Sequence, residues 1–418
     1  MKPSLAMSIG VATLLVVGVS AVIFGVEGTQ APRAGDEMRT AGTLPTPSTM
    51  RATTSLPVRP VVSWIRVPSA NQGSLHNELR AVGIAGPTAW AVGLYFNGTS
   101  DVPLIERRNG TSWQVVANRP PGSKHAELDA VAGSSTANVW SVGRFEPALG
   151  QERTLAEHWD GSHWSIVATA NRGSFHNELD SLAVRGVNDV WAVGHSDLNI
   201  QKSDEALVEH WNGLYWTLIS SASLLGSNSE FAAITSIPNS SYLWAVGDQR
   251  HGAISTTLVE LWNGHQWSVV PSLNYGVYSN ILTSVVALSS HDAWAVGTYF
   301  VRLVPHAIIE HWNGRYWSLV RGPSEIAHHY SLSGVTAIGS HRIIAVGQVF
   351  SGRTDRTLII ESDGSNWTVD RSANAGMGHN QLNAVATALR GTALAVGTSF
   401  NGRADRVLVM TSREENRP

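Results

Sequence analysis

The sequence predicts an all-β fold assembled from one repeated unit of about 50 residues. A segment of the type Trp-Ala-Val-Gly recurs along the chain and ends at Gly93, Gly143, Gly194, Gly247, Gly297, Gly347 and Gly397. A second segment, of the type Trp-Asn-Gly-x-x-Trp, recurs with nearly the same period and ends at Trp113, Trp164, Trp216, Trp267, Trp317 and Trp367. Such a period is typical of propellers and other repeat arrays, so the content of one unit decides between them.

One unit, taken from Glu178 to Ser221, contains four short runs rich in β-branched and aromatic residues. The runs cover 179–184, 190–193, 206–211 and 215–219, and turn residues separate them. No segment keeps a 3.6-residue period, so helices are not expected. Four antiparallel strands per unit is the content of a propeller blade, and seven units therefore predict a seven-bladed β-propeller.

An Asn-Gly or Asp-Gly pair precedes the last strand of six units, at Asn109, Asp160, Asn212, Asn263, Asn313 and Asp363. A type I′ hairpin turn needs positive φ at both central residues, which Asn and Gly tolerate best. We therefore expect type I′ turns at these pairs and an irregular loop around Gly98. The 16 Trp residues fall on three repeat positions, so we interpret them as packing between blades and not as ligand stacking.

Two incomplete units flank the complete ones and complement each other. The segment around Trp64 matches the last strand of a unit but precedes any complete one, whereas the seventh unit ends without a last strand. We expect the Trp64 strand to complete the seventh blade, because ring closure removes the open strand edges of an array. The predicted domain covers residues 61–413 and is a monomer, with a tail at 414–418.

The first 60 residues predict a targeting segment followed by a linker. Lys2 precedes an uncharged run, Ser8–Val26, that is nearly long enough to span a membrane. Residues 1–26 are either a signal peptide or an uncleaved anchor through residues 8–26, and we favour the anchor because the run is long. Both alternatives place the propeller outside the cytoplasm. Residues 27–60 are rich in Thr, Pro and Ser, and we expect a disordered tether.

The repeat pattern resembles the seven-bladed propellers of secreted bacterial repeat proteins and is broadly similar to kelch and sialidase-type (Asp-box) propellers. Asp363 and Gly364, followed by Trp367, resemble an Asp-box in residue types and position, although the spacing differs. The resemblance covers residues 61–413 and implies the fold. A sialidase activity would imply an arginine triad and a tyrosine nucleophile, which no position here matches, so the resemblance implies no activity.

Composition and motifs exclude several classes of function. The chain has no Cys, so disulfides, thiolate zinc sites and thiol nucleophiles are excluded. A net charge of -3 without clustered basic residues argues against nucleic-acid binding. The sequence contains no Gly-x-Ser-x-Gly segment, no His-Glu-x-x-His segment and no phosphate-binding loop, and we predict no cofactor.

Three functions remain open. The favoured one is a binding or protein-interaction module for an extracellular protein or glycan, without catalysis. The second is an extracellular carbohydrate-active hydrolase or lyase with its site at the channel mouth, and the third is a structural wall component. An enzyme should show a deep polar pocket with a carboxyl group of raised pKa, whereas a binding module should show exposed apolar or aromatic side chains.

Polar residues recur where the first strand of each unit begins, which is the strand that lines the channel of a propeller. His76, His125, His176, His329 and His379 occupy one repeat position there, and Glu78, Glu127, Glu178 and Glu230 follow two residues after it. Because residues i and i+2 share a strand face, these side chains would surround one opening as a metal or cation site. We favour the alternative that each His caps its loop or bonds to the neighbouring blade, and we assign no metal ligand.

Four arginines occupy matching places in units six and seven: Arg353, Arg356, Arg403 and Arg406. Together they would form an anion or carboxylate site. The favoured alternative is a set of Asp–Arg surface pairs that contribute little to stability.

Overall fold

The computed structural model describes residues 62–414 except 119–120, 123–124, 149, 198–203, 224–226, 324–328, 351, 353, 376–377 and 389–390. The described residues form 28 strands and no α-helix, which confirms the all-β prediction. In the same part of the chain no helix is long and apolar enough to cross a membrane. The predicted targeting segment (1–26) and linker (27–60) lie outside the described residues.

Six blades are continuous in sequence, and each contains four antiparallel strands in chain order. Blade 1 holds β2 (Asn77–Ala85), β3 (Thr88–Phe96), β4 (Asp101–Asn109) and β5 (Ser112–Val115); blade 2 holds β6 (Ala126–Ser135), β7 (Asn138–Ala148), β8 (Gln151–Trp159) and β9 (Trp164–Ile166). Blade 3 holds β10 (Asn177–Gly186), β11 (Asp189–Asp197), β12 (Asp204–Trp211) and β13 (Trp216–Leu218); blade 4 holds β14 (Ser229–Ser236), β15 (Leu243–His251), β16 (Ile254–Trp262) and β17 (Trp267–Val269). Blade 5 holds β18 (Asn280–Ser289), β19 (Asp292–Val301), β20 (Val304–Trp312) and β21 (Trp317–Leu319); blade 6 holds β22 (Tyr330–Ile338), β23 (Arg342–Phe350), β24 (Asp355–Ser362) and β25 (Trp367–Val369).

The seventh blade joins both ends of the domain. It has the strand order β1-β28-β27-β26, with β1 (Val62–Arg66), β26 (Asn380–Thr387), β27 (Ala393–Phe400) and β28 (Asp405–Glu414). Each inner strand contacts the inner strand of the next blade, and β26 contacts β2. The ring therefore closes as the sequence predicts, with β1 supplying the missing outer strand.

The glycine that ends each Trp-Ala-Val-Gly segment is required by a close approach between the first two strands of a blade. A Cβ atom on Gly194 would lie 2.1 Å from the carbonyl oxygen of Glu178, which is far inside van der Waals contact. The register shifts by one residue just beyond this point, between Leu179 and Ser181, so Asp180 forms a β-bulge. The equivalent bulge recurs in every blade.

The Trp residues pack blade against blade, as predicted. The ring of Trp191 in blade 3 lies 4.7 Å from that of Trp262 and 6.0 Å from that of Trp267, both in blade 4. The same triple recurs where Trp90 meets Trp159 and Trp164, where Trp140 meets Trp211 and Trp216, and where Trp244 meets Trp312 and Trp317. These tilted and edge-to-face contacts occupy the aromatic faces, which explains the recurrence without a ligand.

The predicted type I′ turns are wrong. In blades 2 to 6 the third and fourth strands are joined by four residues, and only the Gly has positive φ, for example 98° at Gly213. The side-chain oxygen of Asn212 instead accepts hydrogen bonds from the backbone N–H groups of Leu214 and Tyr215, at 2.9 and 3.1 Å. The Asn caps the loop through its side chain and so does not need positive φ. The loop at Gly98, expected to be irregular, has the same capping by Asn97.

Five buried glutamates hold the loops that lead into blades 1 to 5. Glu209, in the third strand of blade 3, is fully buried and accepts a 3.0 Å hydrogen bond from the N–H group of Ala170. Burial raises the pKa of Glu209 to about 7. The equivalent residues are Glu106, Glu157, Glu260 and Glu310, each at most 1% exposed. These carboxyl groups anchor loops within the structure and are not accessible to a ligand.

Candidate functional site

The polar candidates lie on one face of the ring. We call the upper face the side where the inner strands begin; it also carries the turns between the second and third strands of each blade. Three positions in each blade lie close together there. In blade 3 they are Glu178, the bulge residue Asp180, and His195, which follows the repeated Gly and pairs with Glu178 in the strand register.

The predicted histidines join neighbouring blades. His76 Nδ1 of blade 1 lies 2.8 Å from Asp405 Oδ2 of blade 7, at the start of the third strand of that blade. Equivalent pairs join His125 to Asp101, His176 to Glu152 and His379 to Asp355. These contacts support the alternative in which each His bonds to the neighbouring blade. His329 lies near the ring of His306 of blade 5 instead, with 6.3 Å between the ring centroids.

Three of these histidines also reach the Glu of their own blade. His125 Nε2 lies 3.2 Å from Glu127 Oε2, and the Asp101 and Glu127 carboxylates together raise the pKa of His125 to about 9. Acid–His–Glu chains of this kind occur in blades 1, 2 and 3, through His76 with Glu78 at 3.7 Å and His176 with Glu178 at 3.3 Å. The histidines therefore connect the blade interfaces to the inner polar positions.

Two arginines link the inner positions of blades 1 to 3. Arg80 of blade 1 donates to Glu127 at 2.8 Å and to Asp129 at 2.5 Å, both in blade 2. Arg144 contacts Glu127 at 2.7 Å and Glu178 of blade 3 at 2.8 Å. Although burial opposes the shift, His125 and the two guanidinium groups lower the pKa of Glu127 to about 2. Glu127 is therefore a permanent carboxylate at the centre of this network.

The second strand of blade 3 adds a histidine beside His176. His195 Nε2 lies 3.0 Å from His176 Nε2 and 3.9 Å from Glu178 Oε2. His195 Nδ1 lies 3.2 Å from Asp180 Oδ2. Although burial lowers it, the bond to Asp180 and the charge of Glu178 raise the pKa of His195 to about 10. Two imidazoles and a carboxylate thus meet at one point on the upper face.

Blade 4 places two carboxyl groups together, and among its described residues no Arg, Lys or His forms an ion pair with either of them. Glu230 lies opposite Asp248 in the strand register, and Asp248 is 2% exposed. Burial and the adjacent Asp248 raise the pKa of Glu230 to about 8. Burial likewise raises the pKa values of the bulge carboxyls Asp129 and Asp180.

At the inner polar positions, charged residues lie on only one side of the ring. We call the acidic arc the inner polar positions of blades 1 to 4, which hold Glu78, Arg80, Glu127, Asp129, Arg144, Glu178, Asp180, His195, Glu230 and Asp248. The same positions in blades 5 to 7 hold Ile281, Thr283, Thr298, Ser331, Ser333, Gln348, Gln381, Asn383 and Thr398. In the acidic arc, seven carboxyl groups face two guanidinium groups and one imidazole of raised pKa.

Sequence reasoning found the Glu position but missed the other two. Arg80, Asp129 and Asp180 follow Glu78, Glu127 and Glu178 by two residues, so alternation alone predicts that each shares a strand face with the preceding Glu. Each of the three lies at the β-bulge of its inner strand. Arg144 and His195 follow the Gly of Trp-Ser-Val-Gly and Trp-Ala-Val-Gly, and a charged residue at that repeat position was a signal available in the sequence.

The predicted arginine cluster is only partly described. Arg353 lies outside the described residues, whereas Arg356 and Arg403 are exposed. Arg406 donates to the backbone carbonyl groups of Gly73, Ser74 and Leu75, with the shortest bond at 2.8 Å to Ser74. Arg406 therefore fastens the loop that leads into blade 1, and the four-arginine anion site stays a prediction.

The upper face also carries exposed apolar side chains on blades 4 and 5. Leu303, in the turn between β19 and β20, is 77% exposed, and Val277, in the loop before β18, is 75% exposed. Leu273 and Tyr278 lie in the loop before β18, Ile254 is the first residue of β16 in blade 4, and all three are also exposed. Tyr275 stacks on Tyr299 beneath them, with ring centroids 4.5 Å apart. An apolar region thus lies on the same face as the acidic arc.

No protein family and no curated protein sequence matches this chain. Solved structures do match it. A structure of YCF48 bound to D1 peptide has a TM-score of 0.52 at 12% identity, and the match covers 86% of this chain and 99% of that one. A polysaccharide lyase of a new family, an ulvan lyase, has a TM-score of 0.53 at 9% identity over 82% of this chain and 95% of that one.

The extracellular domain of a putative hybrid two-component system from B. thetaiotaomicron is also similar. Its TM-score is 0.52 at 11% identity, over 85% of this chain and 40% of that one. At such identities the likeness shows the propeller fold alone. The seven-bladed fold is thus shared with proteins of different activities, and the function of this chain has to be argued from its own residues.

Proposed function

We propose that this protein is an extracytoplasmic binding module that holds a basic segment of a protein partner against the acidic arc. The observation that carries the proposal is the crowding of seven carboxyl groups in the arc. Their cationic neighbours are two guanidinium groups and three imidazoles of raised pKa, those of His76, His125 and His195. Burial and crowding raise the pKa of such carboxyl groups, as at Glu230 beside Asp248. A cationic group placed there would stabilise the ionised forms and would be held by charge-assisted hydrogen bonds.

The apolar side chains of blades 4 and 5 support a macromolecular partner over a small cation. Exposed Leu303 and Val277 offer contact area next to the last blade of the acidic arc, and a partner gains most of its affinity from such desolvated contacts. The acidic arc would then set orientation and association rate. A segment that carries Lys or Arg beside Leu or aromatic residues fits both regions.

The similar structures include one partner-binding example. YCF48 is described as bound to a D1 peptide, so this fold accommodates a peptide ligand in that protein. The present chain is 12% identical to it, and its basic-segment partner is inferred from the acidic arc. The predicted membrane anchor or signal peptide at residues 1–26 supports an extracytoplasmic location.

A pair of matched peptides tests the proposal. One is a fluorescent peptide of alternating lysine and leucine, and the other replaces each lysine with glutamate. We expect the lysine peptide to bind the full-length chain in EDTA-containing buffer. Its affinity should fall as the salt concentration rises, because salt screens charge attraction. Fluorescence anisotropy measures the affinity of each peptide at each salt concentration. Equal binding of the two peptides, or binding independent of salt, would overturn the proposal.

A carbohydrate-active enzyme is the second candidate, and Glu230 is the observation that favours it. A carboxyl group with a pKa of about 8 beside a second carboxyl group is a combination that acid–base chemistry on glycosidic bonds uses. One similar structure is an ulvan lyase with a bound oligosaccharide. A separate cavity between blades 3 and 4, lined by Arg172, Glu205 and Ser229 but not by Glu230, measures about 180 Å³, below the roughly 300–1,000 Å³ of typical ligand pockets. Turnover of a uronate-containing polysaccharide that is lost in Glu230→Gln would favour the enzyme.

A further inference from the structure

Blade 3 brings together three atoms with the spacing of metal ligands. His176 Nε2, His195 Nε2 and Glu178 Oε2 form a triangle with sides of 3.0, 3.3 and 3.9 Å. Zinc binds imidazole nitrogen and carboxylate oxygen at about 2.0–2.1 Å, so two ligands of a tetrahedral ion lie about 3.4 Å apart. We propose that His176, His195 and Glu178 bind one transition-metal ion of the zinc type.

The second nitrogen of each ring supports this proposal independently. His195 Nδ1 is hydrogen-bonded to Asp180, and His176 Nδ1 contacts Glu152. Histidines that bind metals almost always donate their other N–H to a carboxylate, which fixes the tautomer. With both Nδ1 atoms directed to carboxylates, the two Nε2 atoms face each other at 3.0 Å. A metal ion bound to both would take the place of any proton held between them, because imidazole binds a metal in its neutral form.

Blades 1 and 2 lack this arrangement although they share its first histidine and its glutamate. Blade 2 has His125 and Glu127 at the positions of His176 and Glu178, but Arg144 stands where blade 3 has His195. Blade 1 has Leu94 at that position. His195, which faces His176, therefore distinguishes blade 3 from blades 1 and 2. Blade 2, with the same first His and Glu but no second His, is the matched comparison.

The ligand types and surroundings define the ion. Two imidazoles and one carboxylate suit zinc or cobalt, whereas calcium requires six to eight oxygen ligands. The side chains of His176 and His195 are 21% and 18% exposed, so an ion can reach them from the upper face. Arg144 contacts the same Glu178 oxygen at 2.8 Å, and this shared carboxylate makes the affinity lower than that of a site without an adjacent cation.

Metal titration of the full-length chain, stripped with a chelator and free of affinity tags, tests the site. We expect one Zn²⁺ per chain by calorimetry, a tetrahedral absorption spectrum with Co²⁺, and no competition by Ca²⁺. His176→Ala and His195→Ala should each abolish the cobalt spectrum. Asp180→Asn should weaken binding about 10–100-fold, because it removes the carboxylate that orients His195. His125→Ala in blade 2 should leave affinity and stoichiometry unchanged.

Absence of zinc binding by the folded wild-type chain would overturn the proposal, as would full binding after His176→Ala with His195→Ala. Near-UV circular dichroism establishes that each variant is folded; if the alanine variants unfold, the wild-type cobalt spectrum and Asp180→Asn decide. The lysine-peptide experiment contains EDTA, so its outcome does not depend on the metal. The two proposals can therefore fail separately.

Discussion

Trp64 lies opposite Ser412 in the antiparallel register of β1 and β28, so that the beginning and the end of the domain share one blade. Trp64 is 3% exposed and packs in the core between blades 6 and 7. Its indole N–H donates to Asp370 of blade 6 at 3.4 Å. One strand therefore completes blade 7 and also fastens it to its neighbour.

Removal of this strand should destabilise the whole ring. We expect deletion of residues 61–70 to lower the thermal unfolding temperature sharply, because β28 and the blade 7 core become exposed. Trp64→Ala should cost about 3–5 kcal/mol of unfolding free energy, as is typical of buried aromatic residues. Ile65→Ala, on the exposed face of the same strand, is the control. Equal unfolding temperatures for the intact and deleted chains would contradict closure by β1.

The Asn-Gly loops allow a matched comparison of two glycines. Gly213 and Gly98 have φ values of 98° and 103° in similarly capped loops. A Cβ atom on Gly213 would lie 2.5 Å from the side-chain oxygen of Asn188, whereas Gly98 has open space. A β-branched residue at positive φ costs about 1–3 kcal/mol, so both Val substitutions should destabilise and Gly213→Val should destabilise more. Urea unfolding measures both, and equal losses would contradict the role of Asn188.

The buried glutamates predict an unusual dependence of stability on pH. Burial raises the pKa of Glu106, Glu157 and Glu209 to about 7 and that of Glu310 to about 8, from 4.5. A raised carboxyl pKa means that the folded state holds the proton more tightly, so this stabilisation is full below pH 4.5 and is lost as pH rises to about 8. The raised pKa of His125, about 9, acts in the same direction.

We therefore expect the unfolding temperature to fall as pH rises from 5 to 8. Glu209→Gln removes the buried charge and keeps an acceptor for Ala170, so its unfolding temperature should depend less on pH and exceed that of wild type at pH 8. Glu361→Gln is the control. Glu361 is ion-paired with Arg342 at 2.7 Å, so removal of its charge should lower the unfolding temperature. Calorimetric scans at each pH measure these effects. An unfolding temperature that rises towards pH 8 would contradict the account.

The architecture could be predicted because the repeat and its incomplete ends are visible in the sequence. The turn type could not be predicted. A loop capped by the Asn212 side chain and a type I′ turn differ in their backbone dihedral angles, and an Asn-Gly pair is compatible with either. Both central residues have positive φ at Arg302 and Leu303, with values of 49° and 69°, where nothing in the sequence indicates it.

The candidate site was predicted in part for a similar reason. Glu178 and His176 were found because they repeat at a fixed spacing. Asp180 was missed although it follows Glu178 by two residues and therefore shares its strand face. His195 was missed because its place beside Glu178 depends on the register of β10 with β11. Contacts between blades, such as that of His176 with Glu152, depend on how adjacent blades pack and cannot be derived from a single unit.

The effect of arc charge on lysine-peptide affinity shows whether the acidic arc binds basic segments. Glu230→Gln combined with Asp248→Asn removes two carboxyl groups from the acidic arc with little change in shape. Asp160→Asn is the control. It removes one carboxyl group from a turn on the opposite face, at a position where other blades have Asn. The account predicts that the double variant binds the peptide at least about tenfold more weakly, a loss of about 1.4 kcal/mol, while Asp160→Asn binds as wild type does. Equal affinities for the wild-type chain and the double variant would contradict it.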